Sequence, residues 1–117
     1  MSNYSLVLDF AVNNKYTKGI TARLGDKNVT VDLYPYLNGV KMNTTGGLFT
    51  ISATTPSGKE VKLTQTSVTP DKVVFTLDNT FILEVGFYEN AHISYENDNV
   101  KYSTQDFTLF VMPLSDI

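Results

Sequence analysis

The chain contains no cysteine, no tryptophan and a single histidine among its 117 residues. The first absence excludes disulfides, thiolate metal sites and a cysteine nucleophile together, and it fits a reducing compartment. The second removes indole, the strongest stacking platform for a sugar ring. Positive charge is also scarce. Nine Lys and Arg against twelve Asp and Glu leave a formal net charge of -3 and a pI of about 4.9. That is not the basic face of a nucleic-acid binder. No apolar run approaches the roughly 18 residues that span a bilayer. The opening "MSNYSLVLDFAV" lacks the charged and apolar regions of a signal peptide. The expectation is a soluble protein made in a cytoplasm, with no nucleic acid and no membrane insertion.

What is present is period-two alternation. "LVLDFAV" lines up Leu6, Leu8, Phe10 and Val12 on one face, and "NVTVDLY" lines up Val29, Val31 and Leu33. "LFTISAT" offers Phe49, Ile51 and Ala53; "EVKL" offers Val61 and Leu63; "KVVFTL" offers Val73, Phe75 and Leu77. "AHISYE" adds Ile93 and Tyr95, and "DFTLFVM" adds Phe107, Leu109 and Val111. Turn signals fall between these runs: Asn38-Gly39, Gly46-Gly47, Pro56-Ser57-Gly58, Pro70-Asp71 and Asn97-Asp98-Asn99. Only "NTFILEVG", at 79–86, has the look of a short helical turn. About seven short strands with regular turns predict an antiparallel β-sandwich, immunoglobulin-like in order, as one domain over residues 1–117. A small closed barrel is the alternative.

Catalytic and metal-binding constellations are hard to assemble from these residues. His92 falls opposite Ile93 in the alternation, toward water, with no triad or metal partners at suitable spacing. "YENDN" lacks the alternating register and closing Glu of a calcium loop and reads as a hairpin turn. Glu84 and Glu89 could be set as a glycosidase pair, but nothing in the sequence brings them to a common distance. The sequons at Asn3, Asn28 and Asn43 lack a secretion signal and read as chance matches. The glycines of "GITARLGDKN" do not form a phosphate loop, since no G-x-x-x-x-G-K-[ST] is present. The reading is a non-enzyme with no cofactor and no metal.

Apolar groups on outward positions are more informative. Tyr34 and Tyr36 flank Pro35 on the side opposite Leu33, and Pro35 predicts an edge strand or a bulge there. Two such tyrosines suit a sugar platform, a protein interface or ordinary cross-strand packing. In the last strand Phe110 and Met112 point outward if Phe107, Leu109 and Val111 point inward. Val7 and Val74 are second-face apolar residues of the same kind. Cover by a protein partner is the simplest expectation, with Val7, Tyr34, Tyr36, Phe110 and Met112 as interface residues.

The stretch from "YTKGITARLGDKNVTVDLYPYLNG" to "TTPSGKEV" resembles the N-terminal, immunoglobulin-like domain of the phage baseplate upper protein family. The frame is Gly19, Ile20, Ala22, Arg23, Gly25, Asp26 and Asn28, then Asn38-Gly39, Thr45, and Pro56 to Gly58. The later "NTFILEVGFYENAHISYENDNVKYSTQDFTLFV" is similar to the closing half of such domains, so the likeness spans roughly residues 4 to 112. It implies a virion structural role in the tail baseplate: docking to the distal tail hub and helping to hold receptor-binding proteins, with phage tail proteins or further copies of the chain as partners. Synthesis would be in the host bacterial cytoplasm. It also implies that "GITARLGDKN" is a polar connection, with backbone freedom at Gly19 and Gly25 and with Arg23 pairing Asp26 or capping carbonyls. Family members continue into a helical stalk that this chain, ending at Ile117, does not carry. On this resemblance the expectation is an excised domain or a short free-standing relative, to which stalk functions would not transfer. A carbohydrate-binding module for a bacterial surface polysaccharide is the alternative function.

Overall fold

The computed structural model describes residues 2–11, 19–26, 29–104 and 106–113. Among these residues eleven strands run in chain order: β1 (Ser2–Asp9), β2 (Ile20–Arg23), β3 (Val29–Leu37), β4 (Val40–Lys41), β5 (Leu48–Thr54), β6 (Glu60–Thr64), β7 (Ser67–Val68), β8 (Val73–Leu77), β9 (Gly86–Asn97), β10 (Val100–Ser103) and β11 (Leu109–Met112). One sheet has the order β1-β3-β8-β7 with β4 on β3; the other has β2-β11-β9-β5-β6 with β10 on β9. They pack as a sandwich because the long strands alternate, β9 with one irregularity at Glu89 and Asn90, and the apolar set of each faces the opposing sheet. Val29, Val31, Leu33, Phe49, Ile51, Phe75, Leu77, Ile93, Leu109 and Val111 are all buried there. Of the predicted inward residues Leu63 is half-buried, and Val12 lies outside the described residues, as does Asn28.

The sandwich differs from the expected one in four respects. The sheets are mixed: β1 pairs β3 in parallel, and β11 pairs β2 in parallel. A parallel pair requires the chain to leave the sheet between its two strands. Here β2, lying in the other sheet, is that departure. Second, "GITARLGDKN" is not only a connection, because β2 occupies Ile20–Arg23 with Ile20 and Ala22 buried. Third, β3 is an interior strand. Pro35 sits opposite Leu8 of β1, but Tyr36 is the residue turned to β1, its carbonyl accepting the Phe10 amide. The proline nitrogen faces the other side, where pairing to β8 has ended at Leu33 and pairing to β4 begins at Tyr36.

Fourth, no helix forms at 79–86 among the described residues. The chain makes a single turn in which the amides of Phe81 and Ile82 both donate to the Asp78 carbonyl, at 3.0 and 2.9 Å. Burial of the adjacent Phe81 and Ile82 then pins it as a plug in the sandwich. After that turn the chain passes through Leu83 to Val85 without helical hydrogen bonds and enters β9 at Gly86.

The hairpins keep their sequence signals. Asn38 and Gly39, at φ 52° and 82°, close β3 onto β4 as a two-residue turn of the primed type. Asp9 stabilises it from β1, its carboxylate accepting the Asn38 and Gly39 amides at 2.9 and 2.7 Å. The long sides of the sandwich are tied as well. Tyr4 in β1 donates its hydroxyl to the Thr21 carbonyl in β2. On the other side Gln65 exchanges bonds with Phe49 as the chain passes from β6 to β7.

Candidate functional site

The expected interface residues fall on two opposite outer faces. Phe110 and Met112, both half-buried, belong to the outer face of the second sheet. Strand register sets Phe110 against Phe87 of β9, and their rings meet at 4.5 Å between centroids, tilted by 43°. Phe87 is 64% exposed and Val85 is also exposed, so the rings form an uncovered apolar ridge. Sequence reading missed Phe87 because its strand begins inside the segment taken for a helical turn. Its signal was there: Phe87 alternates with the buried Tyr88.

Arg23 and Asp26 border this ridge. The Arg23 amide donates to the Asp26 carboxylate at 3.0 Å, and the Asp26 amide returns to the Arg23 carbonyl at 2.9 Å. Gly25, at φ 89°, makes the reversal, a conformation that costs glycine little. The Arg23 guanidinium reaches across to β11, donating to the Pro113 carbonyl at 3.0 Å and lying 3.9 Å from the Met112 sulfur. The Arg23–Asp26 contact is thus made by the Arg23 backbone amide, while the guanidinium caps a carbonyl following the neighbouring strand of the same sheet. Gly19 lies tight on Thr108, whose Cβ would be 3.0 Å from a Cβ placed on the glycine. That position is chosen for close approach.

Val7, Tyr34 and Tyr36 lie on the other outer face. Parallel register puts Val7 beside Tyr34, and Asp9 beside Tyr36. Val7 is exposed, whereas both tyrosines are half-buried. The face is more charged than the first. Lys72 binds the buried Asp32 at 3.2 Å, and Lys41 binds Asp71 at 2.5 Å. These hydrogen bonds raise both lysines above their ordinary value and hold the Asp71 carboxyl below its own.

Two of the residues weighed for chemistry, His92 and Glu84, have structural partners. His92 is half-buried on an outer position, with Nδ1 2.6 Å from the Asn90 carbonyl. The Glu84 carboxylate takes both the amide and the hydroxyl of Ser57, clasping the Pro56–Gly58 turn, and the Ser57 hydroxyl bond lowers its pKa. Glu89 is exposed in β9. Among the described residues no group of three or more His, Cys, Asp or Glu could hold a metal ion. No helix among them is long and apolar enough to cross a membrane.

No protein-family model and no curated protein sequence matches the chain. Among solved structures, it is similar to the N-terminal domain of phage TP901-1 ORF48, with a TM-score of 0.76 at 17% identity, over 96% of this chain and 99% of that one. The likeness is one of fold, and it extends over essentially the whole of both chains.

Proposed function

We propose that the protein is a structural interaction module of a phage tail baseplate, docking to the tail hub and helping to hold receptor-binding proteins. The observation that carries this reading is the end-to-end likeness of fold to the N-terminal domain of a phage protein. The resemblance of the "GITARLGD", Asn38-Gly39 and Pro56–Gly58 frame to baseplate upper proteins adds independent support from sequence. The uncovered Phe87–Phe110 ridge gives such a module something to dock with. The carbohydrate-platform alternative has less behind it, since Tyr34 and Tyr36 are half-buried beside ion pairs instead of standing free.

The test is the solution mass of the purified chain by light scattering, alone and mixed with the distal tail hub protein of the same phage. A complex with the hub supports the module. A stable homo-oligomer that ignores the hub assigns the apolar faces to self-assembly. A chain that stays monomeric in both cases sinks the docking reading.

A further inference from the structure

A cleft of about 470 Å³ opens at one end of the sandwich, between the β3–β4 hairpin of one sheet and the β9–β10 hairpin of the other. That volume lies within the usual range for ligand and anchor pockets. Leu37, Val40 and Met42 line one side; Tyr95, Val100 and Tyr102 line the other. The aromatic side is rigidly held. Tyr95 is buried against Phe49 at 4.8 Å between ring centroids, lies flat on Gly47, and stacks with Tyr102 at 6.2 Å and 13°. Yet Val40 and Val100, each placed at the end of a tight turn, are left 69% and 44% exposed. The cleft thus has apolar walls that nothing among the described residues fills.

The polar groups at its rim select among occupants. Three of them are already engaged within the chain. The Asn43 side-chain carbonyl accepts from Thr45 N and Oγ1, Asn97 Nδ2 donates to the Tyr95 hydroxyl, and Lys41 Nζ is bound to Asp71. Those bonds fix the rim side chains in place, and the apolar walls between them offer a sugar ring little of the convergent hydrogen bonding it needs. Asp98 is different. It sits exposed at the tip of the β9–β10 turn with φ 51°, and among the described residues it has no ion pair. An apolar slot edged by one free carboxylate complements a large apolar side chain next to a cation.

We propose that this cleft receives one aromatic or branched aliphatic side chain from a basic segment of a protein partner, with Asp98 pairing the adjacent cation. The identity of the partner as a tail protein rests on the docking function proposed above; the chemistry of the cleft does not. The test titrates the ¹⁵N-labelled full chain with N-acetyl-Phe-Arg-amide, N-acetyl-Phe-Glu-amide and methyl glucoside. The Phe-Arg probe should shift the amides of Val40, Met42, Val100 and Tyr102 and saturate in the millimolar range. The Phe-Glu probe should bind about fivefold more weakly, as expected of an exposed pair changed from attraction to repulsion. No shift at these amides overturns the proposal. Shifts only with the glucoside overturn it in favour of a saccharide.

The double variant Val40→Ser, Val100→Ser carries the test to the natural partner, because both side chains are exposed and the fold should not depend on them. Loss of hub binding by this variant, with melting unchanged, supports the anchor. Equal binding by variant and wild type overturns the anchor while leaving docking intact. Failure of the wild type itself to bind the hub removes the docking function, and the peptide titration then decides the cleft.

Discussion

Gly47 and Tyr95 show how closely single positions in this sandwich are specified. A Cβ on Gly47 would lie 2.2 Å from Cε1 of the Tyr95 ring, which is itself wedged between Phe49 and Tyr102 and cannot swing aside. Gly47→Ala should therefore cost about 1–3 kcal/mol by overpacking, read as a lower urea midpoint at unchanged slope. Tyr88 is specified by its hydroxyl. That oxygen accepts the amides of Leu83 and Glu84 at 2.8 and 3.2 Å and donates to the Phe81 carbonyl at 3.1 Å. It stands in for the ladder that the irregular 81–84 segment does not have. Tyr88→Phe leaves buried polar groups without a partner, and a loss of about 1–3 kcal/mol is expected in the same denaturation assay.

At the scale of elements, the strands whose pattern is local were legible in the sequence. Val29, Val31 and Leu33, or Phe49, Ile51 and Ala53, announce an inward face through alternation alone, and the structure buries each of them. The Asn38-Gly39 turn is equally local, because positive φ at both positions is a property of those two residues. What could not be read depends on distant partners. The parallel pairing of β1 with β3 is fixed by where β2 goes, and β2 at four residues is too short to show a period. The 79–86 segment has helix-compatible composition, and only the space waiting for Phe81 and Ile82 reveals that it is a plug. The same misreading hid the start of β9, and with it Phe87. The apolar ridge was therefore half visible, through Phe110 and Met112 alone.

That plug also carries a pH dependence. The Asp78 carboxylate accepts from the Thr80 hydroxyl and amide, and these bonds hold its pKa below the ordinary carboxylate range; Ser57 does the same for Glu84. A carboxyl lowered on folding contributes stability that is full above its unfolded pKa, near about 4, and is lost as pH falls through the folded value. Melting temperature should thus be flat near neutrality and fall below about pH 4. In Asp78→Asn the fall should be shallower and the neutral melting temperature lower. Asp78 is exposed and Glu84 half-buried at the surface, so solvent screening keeps each effect small. An identical pH profile for the variant would remove Asp78 from this account.

For the whole molecule the question is which outer face meets a partner, because a sandwich of extents 44 × 26 × 24 Å holds Val7, Tyr34 and Tyr36 on one side and Phe110 and Met112 on the other. One flat interface cannot cover both. The two faces differ in what they would gain from cover. On the first-sheet face the charged groups Asp32, Lys72, Lys41 and Asp71 already satisfy one another, so docking would strip water from ion pairs and return little. On the second-sheet face the exposed Phe87 ring lies against the half-buried Phe110, and covering this pair carries no such desolvation penalty. Aromatic pairs of this kind anchor interfaces far more often than isolated valines do. Phe87→Ser should therefore weaken hub binding by at least about 2 kcal/mol, roughly thirtyfold, with melting little changed because the ring is mostly exposed. Val7→Ser, on the opposite face and as exposed, should bind as the wild type does. Calorimetric titration of both variants against the hub protein separates the faces. If Val7→Ser is the variant that loses binding, the hub sits on the first sheet, and the Phe87–Phe110 ridge is free for whatever the module holds on its other side.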